Sequence, residues 1–400
     1  MNSAANLGQD DIWANHDEEF RDPSEIIAYW QGVHETDPRL FEYETRGQWW
    51  EILQHCEITL LVTREYEHLL VALHTDACAG PLISVMRMPH PSGLAVDRSH
   101  GIVYAASTRN PNRVYDLMPV QALLPRLDVQ EMPLDGQPLI PIRTRFLPGC
   151  FYLHDLAVIG GELYANSVGQ NAVIRLTPSG HYERVWWPKC IETPNGPIFG
   201  QNHLQLNSIA AGESVETSFF SASTDEVTAL RPGDPDFPVN RRGVIFSGTL
   251  REAIARGLTR PHSARLHRGR LWVNNSGYGE VGLIQNGRFW TVARLPGWTR
   301  GLRFYENVMF VGTSRVLPRF RQYAPGLDVD TSQCGLYALD IESGEILGSI
   351  IWPFGNQIFA IEWVPAIFTK GFPFRPPGHL SGAHEKTLFY AFQPPHTQEV

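Results

Sequence analysis

The sequence predicts an all-β protein folded as a six-bladed β-propeller, and three observations carry that prediction. From Cys56 onward, short apolar runs separated by Gly, Pro and Asn take the place of helical periodicity. A unit of apolar strand, tight turn and second strand ending in small polar residues recurs along the chain. The last copy lacks companion strands, while three unassigned strands stand near the other end, so the two parts of the chain are expected to close one blade together.

Residues 1–20 are acidic and polar and carry the signature of disorder. Asp22-Pro23-Ser24-Glu25 then places Pro after an Asp cap with an acid in the first turn, which predicts a helix to about Val33. Gln48–Leu53 predicts a second short helix that packs its tryptophans on the body. These 55 residues form an N-terminal extension, and the propeller domain is expected over 56–395.

Ile58–Thr63, Leu69–Leu73 and Leu82–Met86 are the unassigned strands. The best-preserved copy of the repeat is RPHSARLHRGRLWVNNSGYG at 260–279. Setting HDLAVIGGELYANS beneath it puts His154 on His262, Gly161 on Gly269 and Asn166 on Asn274. Taking Ser92, His154, Asn207, His262, Thr299 and Gln357 as equivalent, successive copies stand 62, 53, 55, 37 and 58 residues apart, which are blade lengths. Outer hairpins follow at Ala172–Leu176 with Tyr182–Trp186 and at Gly335–Ile341 with Glu345–Ile350. Leu250–Ala255 is a one-turn helix candidate. The insertions at 117–138 and 224–240 are expected over one face of the disc as loops or lids, and Leu388–Phe392 as a last strand.

The bulk numbers exclude several function classes. Of the 400 residues 43% are hydrophobic and 19% charged, enough for a sizeable core. A net charge of −9 disfavours a nucleic-acid partner, because phosphate backbones are bound by basic surfaces. The N-terminus has no signal-peptide pattern and no apolar run is long enough to span a bilayer, so a soluble, cytoplasmic protein without membrane partner is expected. Five scattered cysteines fit reduced thiols rather than a disulfide framework or thiolate zinc site. The glycines form no phosphate loop or dinucleotide fingerprint, so no nucleotide cofactor is expected.

In a propeller the first strand of each blade lines the central channel, and equivalent positions converge on its mouth. That places His154 and His262 on one ring with Asn207, Thr299 and Gln357, and Asp155 and Arg300 one step further along. The expected catalytic residues are His154, His262, Arg300 and Asp155; the expected substrate ligands are Asn207, Thr299, Gln357 and Asn275. His154, His262 and His203 are candidate ligands for zinc, iron, copper or nickel, with Asp155 or Glu280 able to complete the shell. His90 lies near the same ring. Against this stands a structural role in which such residues tie one blade to the next by hydrogen bonds. His267, in the turn LHRGR, is expected to face solvent, and Asn166, Asn274 and Asn275 to bond within their own turns.

HDLAV at 154, RPHSARLHRGRLWVNNSG at 260, LPGWTRGLRF at 295, CGLYALDIESGEIL at 334 and QIFAIEWVP at 357 resemble the DUF4915 family of bacterial conserved hypothetical proteins. The resemblance spans about 56–365 and implies a propeller-like fold in a cytoplasmic protein, with no established reaction. It implies family positions at His154, Asp155, Asn207, Pro261, His262, Thr299 and Arg300. Its pattern sets a histidine directly before Leu206-Asn207, where this chain has Gln205 and keeps His203 two residues earlier.

Two functions follow as expectations. The first is a lyase, isomerase or hydrolase acting on a small anionic or amino-acid-like substrate, with Arg300 on a carboxylate or phosphate and a histidine or histidine-bound metal doing the proton chemistry. The second is a non-catalytic module whose disc face recruits a protein or glycan. Oligomeric state is not encoded in these patterns.

Overall fold

A computed structural model describes residues 36–109, 112–120, 136–374 and 376. The acidic start, the expected helix at 22–33, most of the 117–138 insertion and the expected strand at 388–392 lie outside them. The described chain is a six-bladed β-propeller. Blade 1 has the sheet order Ile361–Pro365, Ile58–Arg64, Leu69–Asp76, Gly80–Arg87, so its innermost strand comes from the far end of the chain, as the unmatched strands require. Blade 2 spans Pro91–Asp97 to Leu139–Leu147, and blade 3 Leu153–Ile159 to Tyr182–Trp186. Blade 4 runs from Leu206–Ala210 to Ala253–Leu258, blade 5 from Pro261–His267 to Arg288–Arg294, and blade 6 from Trp298–Tyr305 to Ile346–Ile351. The candidate helix at 250–255 is instead a turn leading into the strand Ala253–Leu258, which pairs with Gly243–Ser247. Pairing on an open sheet edge wins over one turn of helix, which is costly to nucleate.

The extension is stitched to the closure point. Glu44–Gly47 adds a fifth strand to blade 6. Trp49–Cys56 is a helix whose buried Trp49, Ile52, Leu53 and Cys56 recur at i, i+3, i+4 and i+7 and pack against blades 1 and 6. Buried Arg64 donates to the Leu40 carbonyl and to Glu67, and Glu67 accepts the backbone N–H of Asn356, so charge and main chain meet where the two ends of the propeller join.

Side chains on the first or second strand of each blade tie it to the innermost segment of the next at every junction. Thr63 donates to the Ser92 carbonyl, Ser92 to Leu153, Asn166 to Leu206, Asn207 to Pro261, Asn274 to Gly301 and Ser314 to Ile358. Backbone carbonyls that edge strands would leave unsatisfied are thereby bonded in a water-poor channel. The two histidines escape this pattern.

In blades 2 to 6 the innermost strand carries a β-bulge near its start. The bulge sets one side chain towards the axis, and its glycines let adjacent strands approach. Gly301 has φ +79° and its missing Cβ would lie 2.7 Å from Ile361 Cγ1. Gly301→Val is therefore expected to lower stability by about 2 kcal/mol, read as a shifted urea midpoint with an unchanged slope; an unmoved midpoint would show the bulge to be soft.

Candidate functional site at the channel mouth

The strand registers define which residues share the ring. Counting back two residues from Leu94, Leu156, Ile209, Ala264, Leu302 and Ile361 gives the equivalent positions Ser92, His154, Asn207, His262, Arg300 and Phe359, which in blades 2 to 6 lie in or beside the bulge. Arg300 thus takes the place equivalent to the histidines, Thr299 lies one residue before the ring and Gln357 two. The guanidinium of Arg300 stacks 3.4 Å over the Phe359 ring, and His154 meets the same ring edge-on at 5.4 Å.

Above this ring is a cavity of about 470 Å³. His154, His262, Arg300 and Gln357 line it, joined by Glu65, Tyr66, Arg109, Tyr152, Arg260, Arg315, Arg319 and Tyr323. Among the described residues the lining holds five guanidinium groups and one carboxylate, in a chain whose net charge is −9. The insertion at 224–240 contributes Gly233 and Pro235 to the lining, and its Phe237 and Val239 pack with Tyr323 beside Trp298 and Phe320. Together with the 3-10 turn Pro318–Tyr323 it walls the mouth.

Both histidines are buried, 7% and 3% exposed, and neutral. Burial first, then Arg300 and Arg109, hold His154 well below the ordinary histidine value. Burial, Arg300 and His154 do the same for His262. His262 Nδ1 lies 2.8 Å from the Arg260 carbonyl and 3.0 Å from Ser276 Oγ. Since a carbonyl only accepts, Nδ1 carries the proton and Nε2 keeps the lone pair. His154 Nδ1 is buried with no hydrogen-bond partner.

Arg300 is 8% exposed, and burial draws its pKa down to about 10, so it stays charged at neutral pH. The Gln357 amide, turned to satisfy both neighbours, accepts from Arg300 Nη1 at 2.9 Å and donates to Glu65 at 2.8 Å. Arg300 Nη2 is buried without a partner. Glu65 also accepts from Thr108 at 2.5 Å and faces Arg109 at 3.6 Å, while Arg109 donates to Tyr152 Oη at 2.8 Å.

The remaining expected site residues stand outside the cavity lining. Asp155 grips Arg265 with both oxygens, at 2.7 and 3.0 Å, and accepts from the Ile209 and Leu156 backbones. Asn207 donates through Nδ2 to the Pro261 carbonyl at 2.9 Å, and Thr299 donates to the Glu280 carbonyl at 3.0 Å. Asn275 donates to Glu280 and accepts from the Thr259 backbone. Glu280 is further held by Arg294 and Thr291. His203 sits in the loop before blade 4, whose Asn202 and Gln205 reach the lining while His203 does not. His90 packs edge-on against His68 at 4.4 Å. His267 does not project into solvent as the turn pattern predicts, but stacks at 4.5 Å on Phe304.

Among the described residues no three His, Cys, Asp or Glu side chains come together to hold a metal ion. Two imidazoles among guanidinium groups form a donor set that suits an anion better than a divalent cation, since each neighbouring positive charge opposes the metal's own.

The sequence matches the domain of unknown function DUF4915 over residues 47–370. The chain belongs to that family. No curated protein matches the DUF4915 chain. Among solved structures it is similar to one chain of a nidogen/laminin complex, at 10% identity over 76% of this chain and 98% of that one, with a TM-score of 0.49. It is also similar to a protein of unknown function from Bacteroides caccae, at 10% identity over 77% and 98% with a TM-score of 0.48. A gluconolactonase from Xanthomonas campestris is 14% identical over 66% of this chain and 77% of its own, with a TM-score of 0.43. Nothing about the chemistry of the DUF4915 chain follows from likenesses this distant. No helix of the described residues is long and apolar enough to cross a membrane.

Proposed function

We propose that the DUF4915 chain is an enzyme of small-molecule metabolism that takes an anionic substrate at the channel mouth and moves a proton on it. The observation that carries this reading is the pairing of buried, charged Arg300, with Nη2 uncommitted, and two neutral histidines in one cavity. Buried charge is costly unless it is matched, so Arg300 is built to meet a carboxylate or phosphoryl oxygen. His262, its Nδ1 proton fixed on the Arg260 carbonyl, presents Nε2 as a general base, and His154 is the second imidazole on which the proton can be returned. Abstraction next to the anionic group, with Arg300 beside the developing negative charge, is the chemistry of a lyase or isomerase. Gln357 positions Arg300 and couples it to Glu65. No step is assigned to a metal, because the donor set does not favour one.

Calorimetric titration with a panel of small carboxylates and phosphate esters tests this, together with the metal content of the purified protein. Wild type is expected to bind anions, and Arg300→Gln to weaken binding by about 100-fold, the cost of losing one buried charge-assisted contact of about 3 kcal/mol. Unchanged affinity in that variant, or a stoichiometric metal released by His154→Ala, would overturn it.

A further inference from the structure

The Arg260 carbonyl orients His262, while the Arg260 guanidinium lines the same cavity, in a residue that is 2% exposed. Each of its contacts is to a neutral group. It donates to the Gln205 amide, the Pro232 carbonyl and, at 3.2 Å, Ser223 Oγ, and its guanidinium lies 3.7 Å over the Tyr323 ring. Arg300 is likewise held by a neutral amide and an aromatic ring. Two buried guanidinium groups therefore share one cavity, and neither touches a carboxylate. The one carboxylate among the described lining residues, Glu65, is engaged by Thr108, Arg109 and Gln357.

Such an arrangement costs stability when empty. Each guanidinium is partly stripped of water, and the Arg300 charge acts on Arg260 unfavourably. Stacking on Tyr323 and Phe359 fixes both planes, so their positions are built rather than incidental. A monoanion on Arg300 leaves the second charge unmatched. A ligand with two negative charges matches both.

We propose that the substrate carries a dianionic group, either one phosphoryl group or two carboxylates, whose charges are divided between Arg300 and Arg260. This rests on the anionic-substrate reading and sharpens it. Arg260 also bonds Pro232 in the 224–240 wall and packs on Tyr323 of the 318–323 turn, so both segments that wall the mouth hold its guanidinium in place.

The test is calorimetric titration at constant ionic strength with inorganic phosphate, malonate and acetate, on wild type, Arg260→Gln and Arg260→Lys. Phosphate or malonate is expected to bind at least about 10-fold more tightly than acetate. Arg260→Gln should erase that margin by weakening phosphate or malonate far more than acetate, and Arg260→Lys, which keeps the charge, should retain part of it. Which of phosphate and malonate binds better names the source of the two charges, and either order supports the proposal. Binding of both phosphate and malonate no tighter than that of acetate, or an Arg260→Gln variant with native melting and an undiminished margin, overturns it. In that case acetate binding that still depends on Arg300 leaves the anionic-substrate reading standing, whereas no binding of any anion removes both.

Discussion

His262→Gln is expected to reduce turnover of the anionic substrate by about 10²–10⁴-fold, the range for loss of a positioned general base, while ligand affinity stays roughly that of wild type. The split follows from the division of labour in the cavity: Arg300 supplies the charge that binds, and His262 Nε2 takes the proton. The same geometry fixes the pH profile. A base works only when neutral, and burial together with Arg300 and His154 depresses the His262 pKa well below the usual value. Lowering pH therefore does not protonate it at 6.5, and kcat/KM is expected to remain flat from neutrality through pH 6.5 and to fall only in distinctly more acid solution. Steady-state kinetics from pH 5 to 8 on wild type and variant decide this. A decline centred at or above 6.5, or a fully active His262→Gln, would assign proton transfer to another group.

The architecture was legible because a propeller repeats itself. The hairpin turns at 160–161 and 268–269 carry glycines at positive φ, so those two copies align on sight, and their registers match. The fifth copy was misplaced by one residue for the opposite reason. Its turn is Glu306-Asn307, with Glu306 itself in the left-handed region at φ 48°, and no glycine marks it. Aligning on that turn brings Arg300, rather than Thr299, level with His262. The sixth copy slipped by two because its innermost strand has no local hairpin: Ile361 pairs with Val62, at the other end of the chain. Local pattern cannot set a register whose partner is that remote.

The candidate site was legible where a side chain sits on the repeating strand, and obscure where it sits just beyond. His154, His262 and Arg300 came from the inner strands. Tyr66, Arg109 and Arg315 each lie two residues past the second-strand positions Arg64, Ser107 and Thr313, and Glu65 lies one residue past Arg64. The equivalent residues in the other three blades are Gly169, Thr224 and Gly277, so the position carries no uniform residue type to notice. The offset itself was the available signal. Polar residues at or beside the ring read as ligands in the sequence, whereas the side chains of Asn207 and Thr299 are directed to the Pro261 and Glu280 carbonyls.

Asp155 is where that distinction has the largest consequence for stability. Its sequence position beside His154 reads as catalytic, but its two oxygens hold Arg265 of blade 5 and the Ile209 amide of blade 4, so one carboxylate on blade 3 spans three blades inside the channel. Arg265 also donates to the Ile209 and Ala264 carbonyls. Both side chains are nearly inaccessible, at 5% for Asp155 and 6% for Arg265. Asp155→Asn removes the countercharge but leaves the guanidinium buried, and the expected loss is about 3–5 kcal/mol in urea unfolding. Arg265→Met alone should cost a similar amount by stranding the carboxylate. The double variant Asp155→Asn/Arg265→Met is expected to be less destabilised than the sum of the two, because no charge is then left unmatched. Turnover per folded molecule should survive in all three, since neither side chain lines the cavity. A stable Asp155→Asn protein that has lost turnover would reverse the assignment and return Asp155 to the chemistry.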